Sequence, residues 1–219
     1  MAQTADALYA DRENLASARR AAEIWEFESK RDASQYEPAW KLARVCYWLG
    51  GHAPENERRN YFEKGIAAGQ LAARLQPSRP EGHFWTAATM GGIAENFGLR
   101  AGMRYRKPIR EELETVLMID PSFMEGSADR ALGRYFFKVP SLLGGSKTRA
   151  ERHLRASLSF NQASTISHYF LAELLIDEDR RAEARAELQR VIDAPFSAEW
   201  APEDGEYKQK ASSLLSKIR

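Results

Sequence analysis

The chain has 219 residues, with 32 Lys and Arg against 31 Asp and Glu, a formal charge of +1. That length supports one large core or one repeat domain, and the balanced charge excludes the bulk attraction that draws a protein to nucleic acid or an anionic membrane. A single cysteine, Cys46, excludes an internal disulfide and any multi-cysteine metal site, and no run approaches the roughly 20 apolar residues of a membrane span.

Taken in chain order, Met1-Ala2-Gln3-Thr4 reads as a start codon placed before a trimmed mature terminus. This predicts a removed export signal and a periplasmic or otherwise exported protein, with a cytoplasmic location left open. Leu15, Ala18, Ala22, Trp25 and Ser29 then recur at steps of three and four, which predicts a helix over 11–30. It has the character of the second helix of a pair whose first helix is short or missing.

Three capping-box signatures follow, Ser34-x-x-Glu37, Ser78-x-x-Glu81 and Ser122-x-x-Glu125, spaced by 44 residues. Each opens an aromatic-rich stretch. In the first repeat, 34–77, Trp40, Ala43, Tyr47 and Trp48 share one helix face, and the helix stops at Gly50-Gly51. The return helix, 56–75, carries Phe62, Ile66, Gly69, Ala72 and Ala73 inward. Gly65 and Gly69 each cost about 1 kcal/mol against Ala in a helix interior, which close helix approach would offset. In the second repeat, 78–121, Gly98 and Gly102 open a loop. Lys107-Pro108 then starts the return helix, with Pro108 in the first turn.

The third repeat, 122–162, is the most informative. It runs Ala131-Leu132-Gly133-Arg134-Tyr135-Phe136, breaks at Pro140 and Gly144-Gly145, and resumes with Ala150, Leu154 and Ser157. A fourth, 163–196, sets Leu171, Ala172 and Leu175 against Ala184, Leu188 and Val191. Ala150 to Ala184 is 34 residues, the tetratricopeptide period. Pro195, Pro202 and Gly205 break the chain before a capping segment, 202–219, whose helix is expected from Glu206 to Ile218 with a polar outer face.

The pair Leu132-Gly133-Phe136 with Ala150-Leu154-Ser157 resembles the tetratricopeptide (TPR) pattern after a turn insertion. Leu171-Ala172-Leu175 with Ala184-Leu188-Val191 matches it without one. The longer run from Ala131 to Lys147 resembles the T-component family of TRAP-type solute transporters, and looks similar to the regulator-of-microtubule-dynamics family at the same helix pair. The resemblance to the T-component family implies a secreted or lipid-anchored TPR protein that binds the solute-receptor component and a small ligand. The start carries no lipid-attachment cysteine. The expected fold is an all-α, right-handed solenoid of about four TPR-like helix pairs with terminal capping helices, a single domain over 1–219.

No enzyme site emerges. Gly144-Gly145-Ser146-Lys147-Thr148 fails the phosphate-loop spacing, because Ser146 separates Gly145 from Lys147 and the context is helical. The expected alternative has the glycines turning the chain, Ser146 capping a helix and Leu142-Leu143 packing under the loop. His52, His83, His153 and His168 show no paired spacing, so no metal or cofactor is predicted. Arg100, Arg104, Arg106, Lys107 and Arg110 cluster around Tyr105, which suits a solvated insertion or a protein contact better than nucleic acid.

Arg130, Arg134 and Lys138, spaced by four, share a helix face that in TPR folds lines the concave groove. They could hold a carboxylate or an acidic peptide, or form a solvated stripe paired with acids such as Asp129 or Glu173. Together with Tyr169, Asn96 and Trp85 they form the predicted partner- or ligand-binding groove. The expected function is a non-catalytic protein–protein interaction scaffold, with a periplasmic solute receptor as one partner. The alternative is a carrier for a small hydrophobic or acidic ligand in the aromatic-lined interior. No nucleic acid and no membrane span are expected, and homo-oligomerisation is left open.

Overall fold

A computed structural model describes residues 4–218, which form eleven α-helices, one 3-10 turn and no strand. Met1–Gln3, on which the export expectation mainly rests, and Arg219 lie outside the described residues. Backbone contacts divide the chain into two compact units, Met1–Asp120 and Pro121–Arg219. The second unit begins one residue before the expected third repeat, 122–162.

The first unit contains α1 (Ala5–Ala10), α2 (Leu15–Arg31), α3 (Tyr36–His52), α4 (Glu55–Leu75), α5 (Pro80–Asn96) and α6 (Leu99–Ile119). The short first helix of the opening pair is α1, capped by Thr4, whose hydroxyl accepts from Ala7 N–H at 3.2 Å. The helix expected from residue 11 starts instead at Leu15, where the Asn14 side chain accepts from Ala16 N–H at 3.1 Å. Each helix packs on its sequence neighbour, and α3 also packs on α5.

Phe62 of α4 is the centre of this unit, 1% exposed. Two glycines make its slot: a Cβ on Gly50 of α3 would lie 2.5 Å from the ring, and one on Gly92 of α5 would lie 2.1 Å from it. The close approach expected at Gly65 and Gly69 is present. A Cβ at Gly69 would stand 2.5 Å from Thr86 Oγ1, and one at Gly65 would stand 2.7 Å from Thr89 Cγ2.

Two expectations are corrected here. Residues 98–106 are not a loop, since α6 begins at Leu99, directly after Gly98 supplies a positive φ of 83°. Pro108 consequently sits inside α6 rather than in its first turn, where it forfeits one backbone hydrogen bond. The capping boxes also fail, because α3, α5 and α7 (Phe123–Lys138) have no side-chain cap. Competing partners explain this. Ser34 N–H and hydroxyl both donate to Asp32 Oδ1, at 3.0 and 2.6 Å, while Glu81 accepts from the Tyr36 hydroxyl at 2.7 Å. The punctuation still marks the right places, with these helices starting at Tyr36, Pro80 and Phe123.

The second unit contains α7, a 3-10 turn (Ser141–Leu143), α8 (Lys147–Phe160), α9 (Thr165–Asp177), α10 (Arg181–Asp193) and α11 (Ala201–Leu215). Its seam follows the TPR grammar: Leu132, Leu154, Leu171 and Leu188 are at most 1% exposed. Gly133 lets α8 close in, since a Cβ there would meet Leu154 Cγ at 2.5 Å. The first residues of α7 are unusual. Met124, Glu125 and Gly126 have φ of 46°, 58° and 74°, a left-handed turn in which Gly126 N–H donates to Ser122 O at 3.4 Å and no N–H reaches the Ser122 side chain. Glu125 accepts instead from the Asn161 amide at 2.6 Å.

The 139–146 turn is tied by Gly145 N–H to Pro140 O at 3.1 Å and Ser146 N–H to Phe136 O at 2.9 Å. Ser146 caps α8 as expected, accepting from Arg149 N–H at 3.3 Å. Leu142 does not pack under this turn. It is 98% exposed, because the backbone hydrogen bonds hold the turn closed without it. Residue 201, not Glu206, opens α11, with Pro202 buried in its first turn. Buried Asp204 accepts from Thr165 Oγ1 at 2.6 Å and Ser197 N–H at 2.8 Å, which fastens α11 to α9.

Candidate functional site

In the second unit, α9 packs on both α7 and α11, so three first helices of successive pairs form one row. Arg134 projects from the middle of α7. Its Nη1 donates to Glu173 Oε2 of α9 at 2.5 Å, and its guanidinium lies over the Phe170 ring, 4.7 Å from the centroid. Of the expected alternatives, the pairing with Glu173 is therefore present, while Asp129 is engaged by His153 at 2.6 Å. The aromatic row continues through Tyr169 to Tyr207 of α11 at 5.2 Å and Phe170 to Tyr207 at 5.7 Å, with Lys210 Nζ 4.6 Å above the Tyr207 ring.

Arg134, Tyr169, Phe170, Glu173 and Tyr207 are all half-buried. The Tyr169 phenol is pushed above its ordinary range by burial and by the Glu173 charge, with Arg134 pulling the other way. Arg134 and Tyr169 thus share one electrostatic environment. Lys138 is exposed one turn beyond Arg134, with Nζ 4.8 Å from the Phe137 ring centroid. Arg130 is half-buried one turn before it. Sequence reasoning missed Phe170 and Tyr207. The Tyr169-Phe170 doublet was the available signal for the first, and reading α11 as a polar-faced cap concealed the second.

The first unit holds the other two predicted site residues. Asn96 is exposed near the end of α5 and donates to Gly92 O at 2.7 Å. Trp85 is 3% exposed, packed against Phe84 at 5.0 Å and Tyr47 at 5.8 Å, and its indole N–H meets no acceptor among the described residues. A second aromatic assembly, unforeseen, surrounds two arginines. The Arg44 guanidinium lies 4.0 Å from the Tyr9 centroid and 4.9 Å from that of Trp40, and Arg12 lies 4.9 Å from Tyr9 and 5.3 Å from Trp48. Trp48 Nε1 donates to Arg12 O at 2.7 Å, which pins the α1–α2 turn to α3. The spacing Trp40-x3-Arg44-x3-Trp48 was the sequence signal.

The histidines join helices. His83 of α5 meets Glu112 of α6 at 2.5 Å, His153 of α8 meets Asp129 of α7 at 2.6 Å, and His168 of α9 meets Glu187 of α10 at 2.5 Å. His52 stacks on Trp48 within α3. Among the described residues no cluster of three or more His, Cys, Asp or Glu is placed to hold a metal ion. Burial pushes the Cys46 thiol up to about 12, so it is a packed hydrophobe rather than a nucleophile. Lys147, the candidate phosphate-loop lysine, forms an ion pair with Asp177. No helix among the described residues is long and apolar enough to cross a membrane.

Comparison with solved structures agrees with the repeat reading. A thermophilic TPR protein of Thermus thermophilus, TTC0263, superposes with a TM-score of 0.70 at 18% identity, covering 94% of each chain. MamA superposes at 0.54 and 13% identity over 96% of this chain and 99% of its own. A MamA RS-1 double mutant gives 0.55 and 12% over 97% and 99%. At these identities the likeness shows the fold, an all-α tetratricopeptide-like repeat of the α-solenoid type. No curated protein matches the chain in sequence. The sequence profile described as "RMD1-3: Regulator of microtubule dynamics protein 1-3" matches residues 1–219 from end to end, and the chain belongs to that family.

Proposed function

We propose that the protein is a non-catalytic interaction scaffold whose second unit holds a partner on the row formed by α7, α9 and α11. The observation that carries this reading is Arg134, held between the Phe170 ring and Glu173 beside Tyr169 and Tyr207. A cation fixed in a half-buried aromatic row gives up little freedom on binding, so contact free energy is not spent on ordering it. Arg130 and Lys138, one turn either side, extend the surface toward a carboxylate or an acidic peptide, and Lys138 is open to solvent. Asn96 and Trp85 belong to the first unit.

Two partner classes come first. Microtubules are named in the family's own description. A solute receptor of a TRAP-type transporter is suggested by the Ala131–Lys147 run, and would require the protein to be periplasmic or exported. The test is co-purification with each, followed by titration calorimetry of the complex obtained. An Arg130→Ala, Arg134→Ala double variant that keeps its helix content should lose at least about tenfold in affinity. Unchanged affinity would remove this row from the interface.

A second reading, a small hydrophobic or acidic ligand in the first unit, is favoured by one observation. The buried Trp85 indole N–H has no acceptor among the described residues and stands beside half-exposed Tyr47. A ligand carbonyl or carboxylate would satisfy it. A thermal-shift and tryptophan-fluorescence screen of hydrophobic acids tests this. A shift lost in Trp85→Phe supports it, and no shift with any of them contradicts it.

A further inference from the structure

From the exposed face at the start of α6 we infer a second docking surface, for an acidic polypeptide segment. The opening turns of α6, from Leu99 to Pro108, bury no residue; Ile109 is the first buried side chain. Leu99 is 76% exposed and Met103 44% exposed. They stand four apart and form one stripe along the helix. The adjacent stripe is Arg100, Arg104 and Lys107, all exposed. Neither Arg100 nor Arg104 forms an ion pair among the described residues, and from Leu99 to Lys107 the chain carries four cations and no acid. A protein of net charge +1 has here concentrated positive charge beside two exposed apolar side chains.

Charge complementarity selects an anionic occupant, and the next turn selects its kind. Glu111 lies on the same stripe, exposed, 3.4 Å from Lys107. It is about 16 Å along the axis from Arg100 at 1.5 Å rise per residue. An anionic bilayer or an extended nucleic acid lying along this face would meet that carboxylate. A short polypeptide segment can place its acids on Arg100 and Arg104, set an apolar side chain on Leu99 and Met103, and end before Glu111. Arginine favours such a partner, because its planar fork pairs two-pronged with carboxylates. The surface is independent of the α7, α9 and α11 row, and either proposal can fail without the other.

The test is fluorescence anisotropy of the full chain with a labelled glutamate peptide interrupted by leucines. The expected result is binding that weakens as salt rises from about 50 to 300 mM. It should fall at least about tenfold in Arg100→Glu, Arg104→Glu and by a smaller factor in Leu99→Ser, Met103→Ser. Both double variants are compared in the Arg130→Ala, Arg134→Ala background, so that peptide held by the α7, α9 and α11 row does not mask the loss. The α6 side chains are exposed, so the thermal midpoint should hold in both double variants. No binding of the peptide, or binding that survives the charge reversal, overturns the proposal. So does displacement of the peptide by anionic vesicles or an oligonucleotide at lower charge concentration than by unlabelled peptide.

Discussion

At the scale of single residues, glycine decides how closely the helices approach. Gly69 and Gly91 both lie inside helices of the first unit, yet their surroundings are opposite. A Cβ on Gly69 meets the Thr86 hydroxyl at 2.5 Å and backbone N at 3.0 Å, whereas nothing lies within 4 Å of one on Gly91. Gly69→Ala should therefore destabilise the protein by roughly 1–3 kcal/mol through overpacking. Gly91→Ala should stabilise it by about 0.5–1 kcal/mol, because the unfolded chain loses freedom and no contact is strained. Urea unfolding of the two variants checks both signs. The sequence foretold the close approach at Gly65 and Gly69 from their helical setting. It could not tell Gly91 from Gly92, because only the position of Phe62 makes one an open site and the other a slot.

At the scale of elements, the seams of α5 with α6, α7 with α8 and α9 with α10 combine apolar packing with a histidine–carboxylate latch. His83 and His168 each occupy the fourth position of a first helix. In each, one ring nitrogen meets a carboxylate of the return helix and the other meets a backbone carbonyl, Pro77 O at 3.0 Å and Gln162 O at 2.9 Å. In both histidines the two ring nitrogens are thus engaged, one by each neighbour. For His83, the hydrogen bond to Glu112 raises the folded pKa against the opposing effect of burial.

Its contribution is therefore fully present below the unfolded value of about 6.5 and is lost as pH rises through the higher folded value. Thermal melts between about pH 6 and 9 should show this decline, and Glu112→Gln should flatten it. Glu187 runs the other way. Burial tends to raise its pKa, but hydrogen bonds from His168 and Arg190 outweigh this and hold it low. Its stabilisation is present above about pH 4.3 and lost on acidification through the depressed value. Removing one partner of this buried pair, as in Glu187→Ala, should cost roughly 3–5 kcal/mol in chemical denaturation.

Elements were also where the sequence reading failed most instructively. The order of the helix pairs from α3 to α10 was legible, because Leu, Ala and aromatic residues recur with helical spacing. The start of α6 was not, because Pro108 follows the helix-start rule as well as it tolerates a helix interior. Capping serines were misread for a related reason. A Ser-x-x-Glu signature reports which groups are near a helix start, while Asp32, just before the first signature, and Tyr36, which reaches Glu81 of the second, decide which hydrogen bonds form.

At the scale of the whole molecule, the chain is a member of the regulator of microtubule dynamics protein 1-3 family with a tetratricopeptide-like fold. Its function is proposed to reside in faces rather than in a reactive centre. The cationic stripe Arg130, Arg134 and Lys138 was legible from spacing alone. Its aromatic floor was not, because Phe170 and Tyr207 are far from it in sequence and reach it only through the packing of α9 on α7 and α11. The most direct measurement is hydrogen exchange on the complex with whichever partner co-purifies. New protection should appear along α7, α9 and α11, centred on the peptides containing Arg134 and Tyr169. Protection confined to α8 and α10, with those first helices exchanging as in the free protein, would contradict the account.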